Sequence, residues 1–263
     1  MAAGSTVHVE TRAGVARITL NRPERKNAFT DAMWHDFLAA LGGVLADPGA
    51  RVVVLTGADS NFTAGADMAL IEGKGEGDSS GPHPFSGVMD HLTTTFDKPM
   101  IAAVDGVAIG FGLTILLHCD FVYVSSRARL RAPFVKLGVV PEAASSFLFQ
   151  EILGVRNTAE LLYATDFIDG PRAVALGLAN ACVEPDALMA TAQATADRIA
   201  GDPPGAVRAT KRLLLEARRD QVLAAVEREN AAFALRMGTP ENVEALTAFW
   251  EKRPPDFSKL PEE

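Results

Sequence analysis

The sequence predicts an α/β fold, with parallel strands alternating with helices and a helical C-terminal third. Three observations carry this. The apolar, β-branched runs Val52-Val53-Val54-Leu55 and Met100-Ile101-Ala102-Ala103-Val104 read as buried strands. Strand, helix and strand recur along the chain, which is the pattern of βαβ units. Apolar positions repeat at helical spacing over Asp186 to Ile199, Ala206 to Ala217, Gln221 to Leu235 and, more briefly, Glu241 to Trp250.

Taken in order, Val7-His8-Val9-Glu10 and Val15 to Leu20 alternate apolar and polar residues around Gly14, which predicts a hairpin at a sheet edge. Asn21 to Asn27 is a polar turn. Met33, Phe37, Leu41 and Leu45 are spaced as the inner face of a helix over Asp31 to Leu45, ending near Gly42-Gly43 or Pro48-Gly49. The strand at Val52 follows. Gly73 to Gly87, rich in Gly, Ser, Asp and Pro, predicts a mobile loop.

With 263 residues, 48% of them hydrophobic, the chain holds one large domain or one domain with a short appendage. A net charge of -8 argues against nucleic-acid phosphate as the main partner, because that task draws on Lys and Arg. Cys119 and Cys182 match no metal or redox spacing and read as reduced thiols. Five histidines at these spacings make no metal site. No secretory signal, no run of membrane-spanning length and no C-terminal peroxisomal address is visible, so a cytoplasmic protein is expected.

The chemistry concentrates in two glycine-bearing turns, Phe62-Thr63-Ala64-Gly65-Ala66-Asp67 and Gly106-Val107-Ala108-Ile109-Gly110-Phe111-Gly112. Each lies between a predicted strand and a stretch that can be helical. Glycine admits close backbone approach, and a first helical turn leaves N–H groups without partners. Side by side, two such turns aim two N–H donors at one carbonyl oxygen, forming an oxyanion hole of backbone.

These segments, in this order and separation, resemble the crotonase (enoyl-CoA hydratase/isomerase) superfamily, and the likeness runs from Leu20-Asn21-Arg22-Pro23 to Phe249-Trp250-Glu251-Lys252-Arg253. The resemblance implies a ClpP/crotonase-like spiral of ββα units over residues 1–195. It also implies a helical region over 196–263 that covers the site and builds contacts within a homotrimer or a dimer of trimers. It places the oxyanion donors on the N–H groups of Ala66 and Phe111. Family sequences often carry Gly at the second place, so the Phe111 ring bears on pocket shape.

Hydratases of this family use two glutamates. Here Thr114 and Phe134 stand at those places, and neither serves as acid or base for water addition. Downstream, Leu137-Gly138-Val139-Val140-Pro141-Glu142-Ala143-Ala144-Ser145-Ser146 resembles the corresponding segment of peroxisomal-type Δ3,Δ2-enoyl-CoA isomerases. The Glu after Pro is the catalytic base there, and Glu142 takes that role by resemblance. Read from the residues alone, Pro then Glu is also ordinary chemistry for a helix start. A carboxylate there among Ala143, Ala144, Phe147 and Leu148 faces opposing pressures on its pKa.

The resemblance further implies a coenzyme A thioester as substrate, with no separate cofactor. It places the carrier along Ala64, Gly65, Ala66, Asp67, Met68 and Gly110, near Arg25, Lys26 and Ala28, with Phe249 and Lys252 approaching it, often from a neighbouring subunit. Asp67 also reads as a helix cap, and Arg25, Lys26 and Lys252 as surface charges. Asp166, between Thr165 and Phe167, lies by the same resemblance near the family's acyl pocket and is set aside as a second acid. His118 reads as a core histidine. Ser145-Ser146 shows no hydrolase arrangement. The competing readings are an enoyl-CoA hydratase and a non-catalytic acyl-CoA- or RNA-binding relative; acidity argues against RNA.

Overall fold

The computed structural model describes residues 5–71 and 83–260. In chain order the elements are β1 (Val7–Arg12), β2 (Val15–Leu20), α1 (Asp31–Ala46), β3 (Val52–Gly57), α2 (Met68–Ile71), α3 (Pro84–Asp90), β4 (Met100–Val104), β5 (Val107–Ile109), α4 (Phe111–Thr114), β6 (Phe121–Ser125), β7 (Arg129–Arg131), α5 (Ser145–Ala159), β8 (Ile168–Asp169), α6 (Gly170–Ala175), β9 (Ala181–Val183), α7 (Pro185–Gly201), α8 (Pro204–Glu216), α9 (Arg219–Arg236) and α10 (Pro240–Trp250).

The main sheet runs β1-β2-β3-β4-β6-β9, with the β1/β2 hairpin antiparallel and every later pairing parallel. A smaller sheet, β5-β7-β8, stands beside it. Alternation along β3 explains why the main sheet is buried on both faces. Val53 and Leu55 enter the principal core with Ile18, Phe37, Ala102 and Val122. Val52 and Val54 point the other way, with Ile101 and Tyr123, against Leu188, Ala192 and Ala196 of α7. A strand covered on both faces needs the continuous apolar run that the sequence displays.

α1 starts where Thr30 accepts a hydrogen bond from Met33 N (3.3 Å). Its inner face is Met33, Trp34, Phe37, Ala40, Leu41 and Val44. α8 is fastened by charge: Arg208 and Arg212 both reach Asp97, and buried Lys211 donates to Asp120 (2.6 Å). Asp120 also accepts from Met100 N (2.7 Å), tying the start of β6 to the start of β4.

The hairpin, α1, β3 and the C-terminal helices lie where the periodicity places them, and α7 passes unbroken through residues 195 and 196. One expectation needs correcting. Residues 73–82 of the predicted loop lie outside the described residues, but from Pro84 the chain is already helical. His83 accepts from Phe85 N and Pro84 occupies the first turn, so a start signal was present within the Gly- and Ser-rich text.

Candidate active site

The two glycine turns are stitched to each other. Thr63 N donates to the Val107 oxygen (3.0 Å) and Ile109 N donates back to Thr63 (3.1 Å). Gly65 has φ +82°, and a β-carbon built on it would stand 2.4 Å from the Ile109 oxygen and 3.3 Å from Phe111 N. Gly110 lies at φ 55°, ψ −119°, a conformation closed to residues with side chains. It delivers Phe111 as the first residue of α4. Among the described residues neither Ala66 N nor Phe111 N donates to any acceptor. The Phe111 ring turns inward, packing against Phe29, Trp34 and Phe85 at centroid distances of 5.3, 4.6 and 5.8 Å.

The first turn is also anchored to the basic turn before it. Ala64 N donates to the Lys26 oxygen, Phe29 N to Gly65 and Asp67 N to Phe29. Buried Asn27 accepts from Arg22 N through its side-chain oxygen and donates from Nδ2 to the oxygens of Ala58 and Asn61. Ala28 is buried, whereas Arg25 and Lys26 are exposed. Asp67 serves two partners: Ala69 N, as a cap of α2 that Met68 opens, and Arg22 Nη1 at 2.6 Å. Burial opposes ionisation of Asp67, yet these hydrogen bonds and the Arg22 charge hold its pKa below the ordinary value. The Arg22 pairing was not foreseen from sequence, although Arg22 stands in the motif that carries the resemblance.

Glu142 lies before α5, not in its first turn. Pro141 and Glu142 lead into Ala143 and Ala144, both left-handed (φ 61° and 58°), and only then does the helix begin. The helix N-terminus is satisfied by another acid. Glu229 of α9 accepts from Ala144 N and Ser146 N, each at 2.7 Å. Glu142 is half-buried, and among the described residues its carboxyl makes no hydrogen bond. Desolvation, then the charge of Glu229, raises its pKa to about 7. Of the two opposing pressures, burial therefore wins.

His118 closes the helical segment that starts at Phe111, and its Nε2–H donates to the Ala143 oxygen (2.9 Å). Burial pushes its pKa down to about 4, so it is neutral and fixed as the Nε2 tautomer. The core reading of His118 is correct, and it ties the second turn to the Glu142 segment. Thr114 is fully buried, with its hydroxyl donating to the Phe111 oxygen, and Phe134 is buried. Phe249 and Lys252 are exposed at the end of α10, which packs on the turn of Val135–Leu137. Asp166 is exposed. Among the described residues no cluster of His, Cys, Asp and Glu is arranged to hold a metal ion, and no helix is long and apolar enough to cross a membrane.

The profile of the enoyl-CoA hydratase/isomerase family matches residues 10–260. A short-chain-enoyl-CoA hydratase of Clostridium acetobutylicum is 32% identical over 95% of this chain and 96% of its own length. Enoyl-CoA delta isomerase 2 of Rattus norvegicus is 29% identical, over 94% of this chain and 63% of that protein. Among solved structures, an enoyl-CoA hydratase/isomerase from Pseudoalteromonas atlantica T6c superposes with a TM-score of 0.91 at 35% identity, over 96% of this chain and 99% of that one.

Proposed function

The chain belongs to the enoyl-CoA hydratase/isomerase family, and from that premise we propose that this enzyme is a Δ3,Δ2-enoyl-CoA isomerase working through Glu142. The observation that carries the reading is a half-buried carboxyl with no hydrogen-bond partner among the described residues and a pKa near neutrality. A base poised near the working pH takes and returns a proton with little cost either way.

In this reading a 3-enoyl-CoA places its thioester oxygen on the N–H groups of Ala66 and Phe111. Glu142 removes a proton from C2 and electrons shift toward the oxygen, giving a dienolate. The same carboxyl, now protonated, returns the proton to C4, and the product is trans-2-enoyl-CoA. The backbone donors bind the developing negative charge more strongly than the neutral thioester, which lowers the barrier. The carrier lies along Ala64 to Met68 and beside Gly110 and Ala28. Exposed Arg25 and Lys26 meet its phosphates, and Phe249 and Lys252 approach it from a neighbouring subunit.

Residues 196–263 serve as the covering and self-association region in the same reading. Support comes from exposed apolar side chains, among them Leu213 (67%), Leu235 (78%), Phe249 (52%) and Trp250 (50%). A trimer or a dimer of trimers would cover them.

Glu142→Gln is the test. It should lower isomerisation by about 1,000-fold, the scale of a lost general base, while CoA binding stays nearly intact. Full activity in that variant would refute the role. The hydratase reading is favoured by the name of the Clostridium relative; against it stand Thr114 and Phe134 at the hydratase carboxylate places. Crotonyl-CoA hydration assayed beside 3-enoyl-CoA isomerisation separates the two.

A further inference from the structure

Glu229 is out of character with its surroundings. On α9 the inward stripe is Val222, Ala225 and Glu229, so a carboxylate occupies a position where the helix otherwise buries apolar groups. It is 5% exposed. Among the described residues no cation forms an ion pair with it. An acid placed there is costly unless its oxygens are met by donors. They are met by the main chain that carries Glu142: Ala144 N on one oxygen and Ser146 N on the other.

We propose that Glu229 is a positioning residue for Glu142: it clamps the left-handed Ala143–Ala144 turn against α9 and takes over the helix-capping role, leaving the Glu142 carboxyl unbonded. The inference rests on the proton-shuttle reading of Glu142. Two consecutive non-glycine residues at positive φ are strained, and persist only where neighbours over-determine them. Here the neighbours are two. His118 holds the Ala143 oxygen from one side, and Glu229 holds the Ala144 and Ser146 N–H groups from the other. Without a donor-matched anion at Glu229, the first N–H groups of α5 would be free to recruit Glu142 itself, the nearest acid in sequence.

Glu229 acts on Glu142 through space as well. Its negative charge is the second influence, after burial, that raises the Glu142 pKa. Among the described residues, the other charged or titratable groups acting on this pair are Arg228 on α9, whose charge, with the main-chain hydrogen bonds, opposes the upward pull of burial on the pKa of Glu229, and His118, which is itself influenced by Lys211 and Arg218 and is neutral at working pH. Removing the Glu229 charge therefore lowers the Glu142 pKa, an effect that a purely architectural residue would not produce.

The experiment compares Glu229→Gln, Glu229→Asp and Glu142→Gln in the full chain, with kcat, KM and the pH profile measured on a 3-enoyl-CoA. Glu229→Gln should lose about tenfold in kcat through misplacement of the base, with KM within about twofold of wild type. The inflection of its kcat profile should move to lower pH. Glu229→Asp keeps the charge and shortens the reach, so kcat should fall while the inflection stays in place. Wild-type kcat and an unmoved inflection in Glu229→Gln, with Glu142→Gln inactive, would overturn this inference alone. Full activity in Glu142→Gln would remove the reading it rests on. If Glu229→Gln does not fold, a wild-type kcat in Glu229→Asp overturns the inference instead.

Discussion

Gly65 and Phe111 meet so closely that a β-carbon on the glycine would stand 3.3 Å from the Phe111 nitrogen and 2.4 Å from the Ile109 oxygen. Only a residue without a side chain lets the two turns close, and φ +82° at Gly65 adds a conformational reason. Gly65→Ala should therefore part the N–H groups of Ala66 and Phe111. Loss of one donor's alignment is worth about 100-fold in kcat. Steady-state kinetics on a 3-enoyl-CoA check this, and an unchanged kcat would show that the turns do not act as a pair.

The raised pKa of Glu142 fixes the direction of two pH effects. Activity should rise with pH through an inflection near about 7, because the base works only when deprotonated. Stability runs the other way. A carboxyl whose folded pKa lies above its unfolded value contributes stability that is complete below about 4.5 and is lost as pH rises through about 7. Glu142→Gln should thus be more stable than wild type at pH 8, by roughly 2–3 kcal/mol, with the gap closing below pH 4.5. Denaturant unfolding at both pH values checks the sign.

Asp97 is the fastening point of α8. Its buried carboxylate receives Arg208 at both oxygens (3.0 and 2.9 Å) and Arg212 at 3.1 Å. Both arginines are about half exposed, which limits the energy involved. Asp97→Asn should cost about 2 kcal/mol and lower Tm by about 5 °C. Calorimetry reads this, and kcat should change little.

Asn27 tests how the basic turn is held. Its Nδ2 faces the oxygens of Ala58, Asn61 and Phe62 at 3.0, 2.7 and 3.3 Å. Asn27→Ala removes the donor. Asn27→Asp turns a carboxylate oxygen on the same carbonyls and should be the more damaging, by about 3 against about 2 kcal/mol of lost stability. Both should raise KM for CoA thioesters more than they lower kcat, through displacement of Arg25 and Lys26. Equal stability of the two variants would contradict the arrangement.

Elements whose cause is local were legible in the sequence. α1 runs on through Gly42-Gly43, the first of its two expected stops, and ends at Ala46, just before Pro48-Gly49, because its inner face continues from Met33, Phe37 and Leu41 to Val44. The glycine turns were legible because their backbone conformations exclude other residues. Glu229 left no such mark. On α9 it reads as one more helical glutamate, and its partners lie 83 and 85 residues earlier in the chain. The small sheet escaped for another reason: β5, β7 and β8 have only two or three residues each, too short for alternation to show.

The main sheet ends in two rims of unlike design. β1, on one side, shows solvent five successive exposed residues, including Glu10 and Arg12; β9, on the other, is three residues long. An open strand rim invites pairing with a stranger's strand, and charge or brevity discourages it. Whatever assembly this chain enters, it has no need to hide a sticky β ribbon, and it should stay dispersed at concentrations where a longer, apolar rim would grow fibrils.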